Sequence, residues 1–166
     1  MILADGLGMT LAEALPAGDF LPAHLVAELR TVFPSSTATA LTALATGEWP
    51  NRHGVTGQWT HLPAIRTAAA LLPFAARNGG RSLAERGVTI DQAFPVSPLI
   101  QRMRFEPLAL YPESIATSRS SAYFSGGRHH GGYRRLADAI DLTLRRIESA
   151  DGPTYTYIYT DRKSVV

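Results

Sequence analysis

A helix followed by a strand near the end of the chain is the feature that most constrains the fold. Within "RRLADAIDLTLRRIESADGP", apolar residues recur at spacings of four, four and three, at Leu136, Ile140, Leu144 and Ile147. This spacing predicts an amphipathic helix. Gly152-Pro153 then ends the helix, and "TYTYIY" follows as a predicted strand. Helices that alternate with strands indicate an α/β domain with a mostly parallel sheet flanked by helices.

Earlier segments repeat this alternation in weaker form. A short apolar run at 2–4 predicts a first strand, a helix is predicted through Leu11 and Leu15, and "PLALY" (107–111) predicts a buried strand. Composition predicts four further segments: a short helix or strand at 25–33, a loop at 48–64, an irregular helix at 90–103 and a mobile Gly-rich loop at 125–133.

Composition and charge limit what the sequence can indicate about partners and sites. The 166 residues are 45% hydrophobic, enough for one domain or for part of a larger one. The net charge of +2 gives no indication of a nucleic-acid polymer as partner. The chain has no Cys, which rules out disulfides and thiolate metal sites, and no apolar run near the roughly 18 residues of a membrane span. Neither a compartment nor an oligomeric state is indicated.

Six Ser or Thr hydroxyls crowd residues 35–46, between Pro34 and the predicted helix stop at Gly47. One interpretation is structural, because Ser and Thr cap helix N-termini. The other is that Thr37 is a nucleophile, since the first turn of a helix offers unpaired N–H groups and a positive dipole to a phosphate. The pattern alone favours the capping interpretation.

Asp5 follows the first predicted strand and precedes Gly6. The carboxyl edge of a parallel sheet is where open α/β folds bind ligands, so a carboxylate there is well placed for a metal. Asp also favours turns through its own side-chain hydrogen bonds. The residues alone favour neither interpretation.

Together these residues resemble a known family. A strand ending in Asp-Gly, then "VFPSSTATALTALATG", then "PNRHGV" is similar to the type I phosphodiesterase/nucleotide pyrophosphatase branch of the alkaline phosphatase superfamily. In that superfamily the nucleophile precedes the Gly of a Thr-Gly pair by ten positions, which corresponds to Thr37 here. The resemblance therefore implies an alkaline-phosphatase-like fold and a Thr phospho-enzyme.

The resemblance also implies a metal site with two divalent ions, zinc being the expected element. Asp5 and Thr37 would be ligands of one metal. An Asn of the family that contacts phosphate corresponds to Gln58, which keeps an amide on a longer arm. The remaining ligands of the family have no counterpart in this sequence. We therefore expect this chain alone to be inactive, as the N-terminal half of a hydrolase of small phosphate esters or nucleotides.

The end of the sequence gives a separate expectation. The string "DRKSVV" matches the translation of a common short-read sequencing adapter, so we expect residues 1–160 to be a truncated α/β domain and 161–166 to be a non-native tail. The alternative is that Asp161 is a metal ligand just after its strand. We also expected the strand "TYTYIY" to have no helix covering it.

Three alternatives to the phosphodiesterase stay open. One is a phosphate monoesterase or phosphonate hydrolase of the same superfamily. Another is a non-catalytic nucleotide- or phosphate-binding α/β module that uses the helix start at Ser36 and Thr37. The third is an incomplete gene product without a function of its own.

Overall fold

The computed structural model describes residues 1–77 and 80–161, which form an α/β fold with two sheets. Four parallel strands make the larger sheet in the order β1-β7-β5-β6. Their bounds are Ile2–Ala4 (β1), Pro107–Pro112 (β5), His130–Tyr133 (β6) and Tyr155–Thr160 (β7). The prediction of an α/β fold with a parallel sheet flanked by helices is confirmed.

A smaller antiparallel sheet has the order β2-β3-β4, with bounds Thr60–Leu62, Thr67–Ala70 and Ala75–Ala76. The helices are α1 (Met9–Glu13), α2 (Phe20–Ala23), α3 (Thr37–Thr46), α4 (Pro50–His53), α5 (Ile90–Ala93), α6 (Glu113–Ala116), α7 (Arg119–Phe124) and α8 (Leu136–Glu148). Short 3-10 turns cover Pro63–Ile65 and Leu99–Arg102. The predicted loop at 48–64 is thus wrong in part, because it contains α4 and β2.

Strand β7 lies at the centre of the parallel sheet, between β1 and β5. On one face, Ile158 is buried in a cluster with Ala139 of α8. On the other, Tyr159 is buried in a cluster against which Leu41 of α3 and Phe124 of α7 pack. The expectation that no helix covers this strand was therefore wrong, since helices pack on both of its faces.

The prediction of a loop over the Gly-rich segment 125–133 is wrong in part, although residues 125–129 form turns. The second half of the segment is β6, which pairs in parallel with β5. A Cβ on Gly132 would lie 3.1 Å from Ala116 Cβ and 3.2 Å from Glu113 Cα. At position 132, glycine is therefore required because α6 passes close to the strand.

Two other predictions need correction. Residues 25–32 form neither helix nor strand, and Val26 and Leu29 are 97% and 87% exposed, so the segment has no packing to order it as a helix. The irregular helix at 90–103 consists of α5 and a separate 3-10 turn, with Pro95 and Pro98 in the interruption between them.

Helix α8 forms where the apolar spacing predicted it. Its contact with the sheet is made by Ala139, which is fully buried, and by Leu136, which is half-buried. The other members of the apolar stripe, Ile140, Leu144 and Ile147, are exposed. The spacing thus identifies the helix correctly, while the buried face lies to one side of the stripe.

The last described residue is Asp161, which is half-buried directly after β7. The rest of the expected non-native tail lies outside the described residues. In the part of the chain that the structure covers, no helix is both long enough and apolar enough to cross a bilayer.

Candidate functional site

Asp5 lies at the carboxyl end of β1, as the sequence predicted. Its backbone N–H donates to the carbonyl of Thr160 at 2.9 Å, which ties the turn after β1 to the end of β7. Gly6 then adopts a φ of +82°, a conformation that residues with a Cβ rarely adopt. The main chain of Asp5 is therefore held by a tight turn at the edge of the parallel sheet, and the residue is half-buried.

Helix α3 begins at Thr37, with Ser36 as its N-cap. The Ser36 hydroxyl accepts from the Thr39 N–H at 3.4 Å and lies 2.9 Å from the Thr39 hydroxyl. At the other end Gly47 has a φ of 72° and closes the helix as a left-handed C-cap. Both predicted ends of the helix are therefore correct.

The six hydroxyls of residues 35–46 differ in their hydrogen-bond partners. Thr42 and Thr46 each donate to the carbonyl four residues earlier, both at 2.7 Å. Ser36 and Thr39 bond to each other, and Ser35 is exposed. Only Thr37 among these six has a hydrogen bond to a carboxylate. The capping interpretation thus accounts for Ser36 and Thr39 but leaves Thr37 with a different environment.

Thr37 and Asp5 are brought together, although they are far apart in sequence. Thr37 Oγ1 donates to Asp5 Oδ2 over 3.4 Å, which is long for an O–H···O bond and therefore weak. Both residues line a groove of about 270 Å³ beside α3, together with Thr31, Ala40 and Leu41. The groove places a hydroxyl, a carboxylate and the N-terminal end of a helix in one place.

Tyr159 is a third member of the site, and no motif in the sequence predicts it. Its hydroxyl donates to the same Asp5 Oδ2 at 3.0 Å. Burial, and next the negative charge of Asp5, raise the pKa of Tyr159 well above its ordinary value. The phenol is therefore protonated at neutral pH and remains a hydrogen-bond donor.

Gln58 does not join this group. It is exposed in the segment between α4 and β2, and it is not among the residues that line the groove. Its phosphate-binding role stays a prediction that the geometry does not support.

His53, the last residue of α4, has a structural role. It is fully buried, and its Nδ1 accepts from the Val55 N–H at 3.1 Å. Burial lowers the pKa of His53 below the ordinary value, so the ring is neutral at neutral pH.

The residues implied as metal ligands do not complete a metal site. Asp5 and Thr37 supply one carboxylate and one hydroxyl, whereas a divalent ion takes at least three protein ligands in most catalytic zinc sites. Within residues 1–77 and 80–161, no group of three or more His, Asp or Glu side chains is arranged to hold a metal ion. The described residues thus do not fit a two-metal site on their own.

The fold is that of an α/β protein, with a hydroxyl and a carboxylate at the carboxyl edge of its parallel sheet, the position where open α/β folds bind ligands. Residues 2–66 match the family model "Type I phosphodiesterase / nucleotide pyrophosphatase". Over this N-terminal part the match confirms the resemblance seen in the sequence, and the fold is consistent with an alkaline-phosphatase-like fragment. Comparisons with curated proteins and with solved structures found no significant match.

The match indicates a hydrolase of the phosphodiesterase/pyrophosphatase kind. Such a family indicates small phosphate esters or nucleotides as substrates and is typically metal-dependent. Asp5 and Thr37 both lie inside the matched residues, and Tyr159 lies outside them.

Proposed function

We propose that this chain carries the nucleophile-bearing part of a phosphodiesterase or nucleotide pyrophosphatase, with Thr37 as the nucleophile. The observation that carries the proposal is the hydrogen bond from Thr37 Oγ1 to Asp5 Oδ2 at the start of α3. Among the hydroxyls crowded at that helix, this one faces a carboxylate. Ser35 is exposed, and the other four cap the helix or bond back to it.

The proposed reaction has two displacements at phosphorus. Thr37 Oγ1 forms a bond to phosphorus, the bond from phosphorus to the leaving oxygen breaks, and the hydroxyl proton passes toward Asp5, which already accepts it. The leaving oxygen takes the electron pair and a proton from water. A water molecule then attacks phosphorus, the bond from phosphorus to Thr37 Oγ1 breaks, and Oγ1 takes back the proton held by Asp5. The proton lost by the attacking water neutralises the hydroxide left by the first step, and the phosphate product is released.

The N-terminus of α3 can stabilise the negative charge of a bound phosphate. Helix α3 has 10 residues, and its first-turn N–H groups lack partners within the helix, apart from the Thr39 N–H that Ser36 caps. The partial positive charge at this end attracts an anion by roughly 0.3–1 kcal/mol at an exposed position. This contribution alone is small beside the barrier of phosphoryl transfer.

The proposal extends to two divalent ions, with zinc as the expected element, only if further ligands join Asp5 and Thr37. In the described part of the chain those ligands are not assembled. Small phosphodiesters and nucleotides are the proposed substrates, because the matching family is named for them.

The test measures hydrolysis of bis(p-nitrophenyl) phosphate, in the presence of zinc, by the proposed longer hydrolase that contains this chain. We expect Thr37→Ala to lower kcat by roughly three orders of magnitude or more, because the displacement loses its attacking atom. Thr37→Ser keeps a hydroxyl and should keep part of the activity. Ser35→Ala is the matched control, since Ser35 is an exposed hydroxyl two residues away.

Each outcome discriminates among the candidates. Equal activity of Thr37→Ala and the parent protein would refute the nucleophile assignment. Faster hydrolysis of p-nitrophenyl phosphate than of the diester would favour the monoesterase alternative. Nucleotide binding without metal and without hydrolysis would favour the binding module.

A further inference from the structure

Tyr159 connects the central strand of the parallel sheet to the candidate site. Tyr159 pairs with Leu3 across the β1–β7 pair, and Leu3 lies two residues before Asp5. Its hydroxyl donates to Asp5 Oδ2 at 3.0 Å, and this same oxygen accepts from Thr37 at 3.4 Å. One carboxylate oxygen thus receives both hydroxyls, and the bond from Tyr159 is the shorter.

Tyr159 itself is held from several directions. Its main chain is in β7, which has a partner strand on each side. Its carbonyl accepts from the Tyr133 hydroxyl at 2.7 Å, and its ring lies 6.4 Å from that of Tyr111. The residue is 5% exposed. A donor fixed in this way loses little entropy when it bonds to Asp5.

Asp5 is less constrained. It follows a strand of three residues whose first member, Ile2, is exposed, and its own side chain is half-buried. The long contact to Thr37 is too weak to fix the carboxylate by itself. Something else has to keep Oδ2 directed toward the helix start, and Tyr159 is in contact with that atom.

We propose that Tyr159 is a positioning residue, which holds Asp5 Oδ2 in the orientation that receives the Thr37 hydroxyl. The inference rests on the proposed function for its role in the reaction. Tyr159 acts through Asp5 and does not touch the reacting phosphorus.

Tyr111 offers a matched control. It is a buried tyrosine of β5 beside Tyr159, and its hydroxyl has no hydrogen-bond partner in the part of the chain that the structure describes. Tyr111→Phe therefore removes the same atom from the same cluster without altering a bond to Asp5.

The first measurement is a double-mutant cycle on the 166-residue chain. Its readout is the urea midpoint of unfolding, which needs no enzyme activity. The variants are Tyr159→Phe, Asp5→Ala and the two combined. We expect Tyr159→Phe to lower the urea midpoint in the parent chain but not in the Asp5→Ala background, because its partner is then absent. Tyr111→Phe should not lower the midpoint. If the changes in midpoint caused by the two single substitutions simply add up in the double variant, the inference is overturned.

The second measurement is steady-state hydrolysis by the proposed longer hydrolase that contains this chain. We expect Tyr159→Phe to lower kcat by about tenfold while KM changes little, since the bond to a charged partner orients the site without binding substrate. In the Asp5→Ala background Tyr159→Phe should have no further effect. A kcat unchanged by Tyr159→Phe, with Thr37→Ala inactive, would overturn the inference and leave the proposed function intact.

The two hypotheses can fail separately. If Thr37→Ala stays fully active, or if the parent protein hydrolyses no phosphate ester, the proposed function is the one refuted. The unfolding cycle then still decides whether Tyr159 holds Asp5.

Discussion

The two sheets of this protein differ in what their side chains do. The parallel sheet ends in polar groups that contact one another, with Asp5 and Tyr159 at its carboxyl edge. The antiparallel sheet packs over the larger apolar cluster, here called the small-sheet core, whose buried members include Leu62, Leu71, Phe74, Leu83 and Phe94. The candidate chemistry and the larger share of apolar burial are thus in different places.

Helix α3 is shared by the two regions. Ala38 is buried in the small-sheet core, while Leu41 packs against the cluster of the parallel sheet that contains Tyr159. Thr37 therefore begins a helix that is anchored on one region and presents its hydroxyl to the other. The comparison predicts that core substitutions change stability strongly, whereas substitutions at the site change activity more than stability.

The largest effect on stability is expected from Phe94→Ala. Phe94 is buried in the small-sheet core and stacks on Tyr123 with ring centroids 4.3 Å apart. Losing a buried aromatic ring removes its transfer free energy and leaves a cavity, so the free energy of unfolding should fall by about 3–5 kcal/mol. Urea unfolding monitored by circular dichroism measures it.

Phe20→Ala is the control for that experiment. Phe20 is 72% exposed, so its removal should change the free energy of unfolding by about 0.5 kcal/mol or less. If both substitutions cost the same, the small-sheet core would not be the main source of stability.

A smaller effect is expected at the start of α3. Ser36→Ala removes the N-cap that accepts from the Thr39 N–H, and the loss should be about 1 kcal/mol. Ser35→Ala, at an exposed hydroxyl next to it, should cost little. The same urea measurement applies, and equal losses at the two serines would contradict the assignment of Ser36 as the cap.

The sequence allowed good prediction of elements whose signals are local. Ser36 and Gly47 mark both ends of α3, and the apolar spacing marks α8, because caps and helical periodicity are properties of neighbouring residues. The prediction of a Gly-rich loop at 125–133 is wrong for β6, which contains Gly132. The reason for that glycine is the close approach of α6, a tertiary contact that composition cannot reveal.

The site was predictable in part for the same reason. Asp5 follows its strand and Thr37 follows its cap, so each could be placed at an element boundary. Tyr159 could not, because its contact with Asp5 depends on β1 and β7 being neighbours in register, 154 positions apart at these two residues. In the sequence it is one of three alternating tyrosines in "TYTYIY", and nothing local distinguishes it.

The smallest expected effect is on the pH dependence of the free energy of unfolding. It should come from the fully buried His53 and not from the exposed His61. Burial lowers the pKa of His53 in the folded chain below its ordinary value of 6.5, so the unfolded chain binds this proton more readily. Its contribution to stability is therefore complete above pH 6.5 and falls as the pH drops from 6.5 toward the lower folded-state value. Protonation of Nδ1 would also remove the acceptor of the Val55 N–H.

Urea midpoints between pH 5 and pH 8 measure this effect, since the stabilising contribution of a neutral buried His appears across that range. We expect the parent chain to lose more stability toward acid than His53→Gln, with His61→Gln as the exposed matched control. The comparison is made within each variant, because His53→Gln also alters packing at a buried position. The same acid dependence in His53→Gln and the parent chain would show that His53 is not the group that titrates, and the link between its burial and stability would fail.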